Sequence, residues 1–201
     1  MTFMKISSEK SMKRGFTLIE LLVVMAIIAT LAAAAFSIGP VAMNKARKVS
    51  ALNSANAVAT SVNQFYAEYS ALPDPGTNST DTEFSTTSPG GINLLEILAG
   101  LDNTAPIPDQ NARKIRFFSG KESKNRKDGV EYSPDGKSIT ALYDPWGQPY
   151  FIRLDYDYDE RLTVTAGSTP AVTLNGRRVA VYSLGVSEPK AAKPNTIVKT
   201  W

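Results

Sequence analysis

Residues 13–38 read KRGFTLIELLVVMAIIATLAAAAFSI, and this stretch sets the organisation of the whole chain. From Leu18 to Ile38 the sequence is almost continuously apolar, over about the 20 residues that a helix needs to span a bilayer. Lys13 and Arg14 stand directly before the apolar run, and positive charges in that position keep the preceding segment in the cytoplasm. The pattern predicts one membrane-spanning helix near the N-terminus, with the rest of the chain on the other side of the membrane.

The composition excludes several classes of protein. With 201 residues the chain is long enough for one ordinary domain and an additional element. It has no histidine and no cysteine, which removes cysteine–histidine and serine–histidine–aspartate catalysis, histidine-bound zinc and disulfide bonds. Residues 1–15 hold four basic residues and one acid, so this segment accounts for the whole net charge of +3. Because the remainder is neutral, no basic nucleic-acid-binding face is predicted.

Glu20 is an acid near the start of the apolar run, where a lone carboxylate costs roughly 2.5–3.5 kcal/mol. Gly15 is a small residue between the basic pair and Phe16, at a position where a peptidase could cut. Cleavage there would give Phe16 a positively charged amino group, able to pair with Glu20 of a neighbouring chain in an assembled filament. The alternative is that Glu20 only extends towards the lipid headgroups.

A secretory signal peptide is a second interpretation of the same segment. Ala33, Ala34 and Ala35, followed by Phe36, provide the small residues that a signal peptidase prefers. In that case Glu20 would lie in the apolar core of the signal peptide, with no role there.

Residues 13–24, KRGFTLIELLVV, resemble the processing and methylation motif of type IV prepilins and of the pseudopilins of type II secretion. The resemblance implies that a membrane aspartyl peptidase, the prepilin peptidase, cuts after Gly15 and methylates the new N-terminus at Phe16. It also implies that Phe16 and Glu20 direct filament assembly.

The chain after the apolar run predicts an α+β fold of the type IV pilin kind, with a long N-terminal helix and a small antiparallel β-sheet head. The helix resumes beyond Gly39-Pro40, which should bend or loosen it. Its apolar residues recur at steps of three and four: Ala42, Ala46, Val49, Leu52, Ala55, Ala59, Val62, Tyr66 and Tyr69. The predicted divisions are a leader (1–15), a transmembrane and filament-core helix (16–40), a periplasmic helical half that packs on the head (41–71), and the head (72–201).

Within the head, the sequence predicts a variable loop over Thr77–Gly91 and a helix over Leu94–Leu101, with Asn93 as its N-cap and Glu96 in a capping box. A strand is expected over Lys114–Phe118, and Lys121–Lys127 form a solvated basic loop.

The second half of the head predicts antiparallel sheet. Type I turns are expected at Ser133–Gly136 and Asp144–Gly147. Strands are expected over Tyr150–Asp155 and Leu162–Thr165, and Asn175-Gly176 predicts a hairpin between Val172–Leu174 and Arg177–Tyr182.

Two head segments resemble the major pseudopilin of type II secretion systems. They are DPWGQPY (residues 144–150) and VYSLG (residues 181–185), and a terminal Trp201 accompanies them. The resemblance implies that Trp146 and the turn of Asp144, Pro145, Trp146 and Gly147 stabilise the head.

The sequence offers only weak candidates for a metal-binding site. In the pseudopilin subfamily the loop after the second segment commonly binds calcium, but here residues 186–195 hold one acid and two lysines. Asp155, Asp157, Asp159 and Glu160 form another acidic cluster, whose spacing departs from an EF-hand and favours a solvated strand edge or turn. No cofactor and no catalytic residue are expected.

The resemblance implies a structural subunit of a type II secretion pseudopilus, a homopolymer anchored in the inner membrane with its head in the periplasm. Its expected partners are the prepilin peptidase, the assembly platform and its ATPase, minor pseudopilins and, before assembly, membrane lipid. The alternatives are a type IV pilin for adhesion, motility or DNA uptake, a minor pseudopilin, and a membrane-anchored enzyme. Minor pseudopilins often lack an acid at the position of Glu20, and the missing histidine and cysteine speak against an enzyme.

The two interpretations of the N-terminus predict different mature chains. We expect the protein purified from membranes of its own host to begin at Phe16 and to carry one added methyl group. Mass spectrometry of the intact protein and of its N-terminal peptide measures both. A chain that begins at Phe36 would instead identify a secreted protein.

Overall fold

The computed structural model describes residues 15–76, 78–101, 109–186 and 197–201, without the side chains of residue 35 and residues 37–40. Residues 1–14 of the expected leader and residues 187–195 of the loop at 186–195 lie outside the described residues. The chain divides into two compact units, Met1–Met43 and Asn44–Trp201.

Two helices and eight strands follow one another along the described part of the chain. The helices are α1 (Leu18–Tyr69) and α2 (Pro89–Ala99). The strands are β1 (Thr82–Ser85), β2 (Gly129–Tyr132), β3 (Ile139–Tyr143), β4 (Tyr150–Leu154), β5 (Arg161–Val164), β6 (Val172–Asn175), β7 (Val179–Ser183) and β8 (Val198–Lys199). This confirms the α+β fold class, and β1 and the start of α2 both fall within the predicted loop over Thr77–Gly91.

In the first unit, α1 leaves its large apolar side chains exposed. Leu18 is 82% exposed and Leu31 65% exposed, and the same holds for every large apolar side chain described between them. A continuous apolar surface of this kind requires lipid or another protein to cover it. Within the described part of the chain no helix is long and apolar enough to cross a membrane, so the span over residues 16–40 stays a prediction.

In the second unit, α1 supplies one wall of the hydrophobic core. Five residues at steps of three and four are at most 1% exposed: Ala51, Ala55, Val58, Val62 and Phe65. The predicted apolar face is wrong in its first half, because Ala42, Ala46, Val49 and Leu52 are exposed. The helix has two adjacent apolar stripes, and the head packs on the stripe that carries Phe65.

The principal sheet has four antiparallel strands in the order β1-β4-β7-β8, and two separate hairpins are formed by β2-β3 and β5-β6. The predicted strands Tyr150–Asp155 and Leu162–Thr165 correspond to β4 and β5. The hairpin predicted at Asn175-Gly176 is wrong, because β6 pairs with β5 and β7 pairs with β4. All five residues of β7 are buried, which requires a central position in the sheet, whereas β6 is largely exposed.

Helix α2 begins five residues earlier than predicted, at Pro89 rather than Leu94. Ser88 is its N-cap and accepts a hydrogen bond from the Gly91 amide, and Pro89 occupies the first turn, where no amide donor is needed. Glu96 is buried and accepts a hydrogen bond from the Ile139 amide at 3.0 Å. Asn93 is therefore not the cap.

The strand predicted over Lys114–Phe118 is also wrong, because this segment packs on the end of α2 instead of pairing in a sheet. The amides of Phe117 and Phe118 both donate to the Leu98 carbonyl at 2.9 Å. Lys114 has a φ of 49°, which is incompatible with an extended strand. The buried Asn111 side chain donates to the carbonyls of Ile97 and Ile115, both at 2.8 Å.

Candidate functional site

The expected processing junction is open to solvent. Gly15, Phe16 and Thr17 precede the first helical residue, Leu18, and have no regular secondary structure. Phe16 is 74% exposed, and a Cβ added at Gly15 would meet no heavy atom within 4 Å. A peptidase that binds extended backbone can therefore reach the Gly15–Phe16 bond without unfolding a helix.

Glu20 closes the N-terminus of α1 with a capping box. Its Oε2 accepts hydrogen bonds from the Thr17 amide at 2.8 Å and from Thr17 Oγ1 at 2.7 Å. In return, Thr17 Oγ1 accepts a hydrogen bond from the Glu20 amide at 3.3 Å. The spacing of threonine and glutamate three residues apart is the signature of this motif, and Thr17 and Glu20 carry it in the sequence. Glu20 thus has a structural role within a single chain.

The residues predicted to stabilise the head lie in the turn at Asp144–Gly147. The Gly147 amide donates to the Asp144 carbonyl at 3.0 Å, which closes the turn, and Gly147 has a φ of 89°. Pro145 is buried and Trp146 is partly buried. These residues belong to the second unit, whereas Gly15, Phe16 and Glu20 belong to the first.

Asp144 is fully buried and satisfied by groups from two segments of the chain. Its Oδ1 accepts hydrogen bonds from the amides of Trp146 and Gln148, both at 2.8 Å. Its Oδ2 accepts a hydrogen bond from Ser183 Oγ at the end of β7. The structure therefore joins the two head segments that resemble the major pseudopilin, through a contact that sequence spacing could not reveal.

Burial raises the pKa of Asp144 above its usual range, while the hydrogen bonds from Ser183, Gln148 and Trp146 act in the opposite direction. A carboxylate without these donors would be costly at this position, because a buried charge needs compensation. The cluster of donors is what allows an acid to occupy the turn.

The acidic cluster differs from its prediction. Asp155 is fully buried, so a solvated edge is wrong for this residue, whereas Asp157, Asp159 and Glu160 are exposed in a turn. Asp81, which precedes β1 and was not singled out in the sequence, joins Asp155 and Asp157. Carboxylate oxygens of these three residues lie within 4.8 Å of one another.

A family model described as the prokaryotic N-terminal methylation motif matches residues 10–36. The match covers Gly15, Phe16 and Glu20, and the motif indicates a type IV pilin-like protein, which includes pilus and pseudopilus subunits alike. It implies processing by a prepilin peptidase, membrane anchoring and filament assembly in general. No curated protein and no solved structure matches the chain significantly.

The contacts of Asp144 predict how its variants differ in stability. Asp144→Ala removes the acceptor for two backbone amides, and we expect it to lower the free energy of unfolding by roughly 2–4 kcal/mol. Asp144→Asn keeps an acceptor oxygen and gains an amide that can donate to Ser183 Oγ, so its loss should be less than half as large. Urea unfolding of the full-length chain in detergent, followed by fluorescence of Trp146 and Trp201, measures both.

The pH dependence of the free energy of unfolding provides a second test of the role of Asp144. The folded-state pKa of Asp144 is raised. The stabilisation that Asp144 gives the folded state is therefore full below the ordinary aspartate pKa and is lost as pH rises through the raised pKa. Wild type should therefore gain stability relative to Asp144→Asn as the pH falls. Equal losses for the alanine and asparagine variants would contradict the assigned role of the hydrogen bonds.

Proposed function

We propose that this chain is a structural subunit of a type II secretion pseudopilus, cleaved between Gly15 and Phe16, methylated, and polymerised from the inner membrane to export folded proteins. The observation that carries the proposal is the methylation motif, placed on an accessible Gly15–Phe16 bond directly before a helix with exposed apolar side chains. Processing, membrane anchoring and polymerisation each use one of these features.

The exposed apolar surface of α1 supports a subunit that passes from lipid into a filament. Between Leu18 and Leu31 large apolar side chains are exposed in the single chain, so a covering environment has to come from outside it. Membrane lipid can provide that environment before assembly. Neighbouring copies of the same helix can provide it afterwards.

The position of Glu20 supports a charge pair between subunits. In the uncleaved chain its carboxylate is bound to the Thr17 amide and hydroxyl. Cleavage creates a positively charged amino group at Phe16, and an acid buried between packed helices requires a partner of this kind. Pairing of Glu20 with Phe16 of a neighbouring subunit would set the register of the filament.

The two head segments favour a pseudopilus over a pilus. Residues 144–150 and 181–185 resemble the major pseudopilin, and the hydrogen bond between Asp144 and Ser183 makes them one structural unit. A type IV pilin for adhesion, motility or DNA uptake shares the N-terminal motif and is the alternative. In either case the prepilin peptidase, an assembly platform with its ATPase and further copies of the chain are the partners, and the subunit is not an enzyme.

Two variants separate the charge of Glu20 from its role in the helix cap. Glu20→Gln keeps an oxygen that can complete the capping box but removes the charge, whereas Thr17→Ala breaks the cap and keeps the charge. We expect Glu20→Gln to be cleaved normally but to reduce filament recovery at least about tenfold, the effect of losing roughly 1.4 kcal/mol per contact. Thr17→Ala should assemble nearly as well as wild type.

Filaments sedimented from cells of the host and quantified by immunoblotting measure this difference, and mass spectrometry checks that each variant starts at Phe16. Equal losses in both variants would show that Glu20 acts through the cap alone. Normal filaments from Glu20→Gln would contradict the intersubunit charge pair.

Deletion of the gene in its own host distinguishes the pseudopilus from the pilus. For a pseudopilus we expect a set of folded proteins to disappear from the culture medium and to accumulate in the periplasm, with recovery by the wild-type gene but not by Glu20→Gln. Quantitative proteomics of the two fractions measures this. Unchanged export with loss of surface filaments would establish the alternative.

A further inference from the structure

We propose that Asp81, Asp155 and Asp157 form a binding site for a calcium ion at the edge of the head sheet. Their carboxylate oxygens lie within 4.8 Å of one another. The site is independent of the loop at residues 186–195, and it does not depend on processing or on filament assembly.

The register of the sheet brings two of these acids face to face. Strands β1 and β4 are antiparallel, and their terminal pair is Thr82 with Leu154. The next positions outward are Asp81 and Asp155, which therefore lie opposite each other. Like charges at directly opposed positions destabilise a sheet, and a third acid, Asp157, joins them. A bound cation would convert this repulsion into attraction.

The buried acid of the cluster has an oxygen without a protein partner. Asp155 is 0% exposed, its Oδ2 accepts a hydrogen bond from the Glu160 amide at 3.1 Å, and its Oδ1 is buried with no hydrogen-bond partner. Asp81 Oδ1 is likewise buried and without a partner. A buried carboxylate oxygen with no donor is costly, so two of them beside a third carboxylate define a place for a cation.

Arg153 is a basic residue whose charge acts on Asp81, but it donates no hydrogen bond to the unpartnered oxygens of Asp81 and Asp155. Arg153 pairs with Glu83 across strands β4 and β1. This pair lies two residues along the strands from Asp155 and Asp81. Burial and the charge of Asp157 raise the pKa of Asp81 even though Arg153 acts in the opposite direction. The Nε of Arg153 itself has no hydrogen-bond partner. Arg153 therefore moderates the negative charge without binding the free oxygens.

The ligand set favours calcium over magnesium. Ca²⁺ accepts several carboxylates in a flexible arrangement, whereas Mg²⁺ demands a near-octahedral arrangement and is usually bound through only one or two carboxylates. The three aspartates therefore fit calcium better. Asp157 is exposed, which leaves room for water to complete the six to eight oxygen ligands of calcium.

The turn that carries the ligands is held by its own backbone. The Asp159 amide donates to Asp157 Oδ1 at 3.2 Å, and Tyr158 and Glu160 have φ values of 58° and 60°. Bound calcium would join this turn to the start of β1, in addition to the ring contact between Tyr156 and Phe84. Its occupancy would therefore stiffen the edge strand of the head.

Calcium titration of the full-length chain tests the proposal. The detergent-solubilised protein is stripped with EDTA and titrated with CaCl₂ in a calorimeter, and its thermal unfolding is followed by tryptophan fluorescence. We expect saturable binding of one Ca²⁺ per chain and a higher unfolding temperature in its presence. Asp157→Asn removes the charge of one exposed ligand without disturbing the core and should weaken the affinity at least about tenfold.

Asp159→Asn is the matched control, since it removes the same charge from the same turn but no ligand of the cluster. Its affinity for Ca²⁺ should stay within about twofold of wild type, on the scale of an exposed charge. Three results would overturn the proposal: no saturable calcium binding by wild type, equal weakening by the two variants, or Mg²⁺ binding in preference to Ca²⁺. Because none of these readouts involves filaments or export, failure here would leave the proposed function unaffected.

Discussion

The head is organised by the core that strand β4 shares with one strip of α1. Ala51 and Ala55 are fully buried in this strip, and the buried Tyr150 side chain of β4 reaches the helix, with its hydroxyl donating to the Ala51 carbonyl at 3.2 Å. Once β4 is fixed, β1 and β7 take their places on either side of it. Larger residues in the strip would separate the helix from the sheet and leave the phenol hydroxyl without a partner.

The fixed position of β4 also explains the two polar clusters at its ends. The Asp144 turn enters the strand and the acidic turn leaves it, so both are held by the same backbone. At the entrance, Thr86 donates to the Leu142 carbonyl and accepts from the Tyr150 amide, which adds a buried connection from the end of β1. Polar groups at the ends of a buried strand have no ladder partner, and side chains supply the missing hydrogen bonds.

The sequence revealed those features whose cause is local. The N-terminal motif, the turns at Ser133–Gly136 and Asp144–Gly147, and strands β4 and β5 depend on residues that are neighbours in the chain. The missed features depend on distant partners: β7 pairs with β4 rather than with the adjacent β6, and residues 114–118 bind the end of α2. The chain bends at Gly176, but β6 pairs with β5, and the burial of β7 determined the partner of β7. The meeting of Asp81 with Asp155 likewise follows from strand register, which spacing in the sequence does not contain.

Carboxylates at three positions that the structure describes are costly, and each of these positions implies a different kind of partner. Asp144 is buried among fixed donors, so its partners are part of the fold. Glu20 has a local partner in Thr17 but lies in an apolar helix surface that another molecule has to cover, and we propose that its final partner comes from outside the chain. Asp81 and Asp155 have buried oxygens that no donor reaches. We propose that the same chemical group is satisfied by the fold itself in one place, by a second subunit in another and by a metal ion in the third. The difference follows from whether donors, apolar surface or further acids surround the carboxylate.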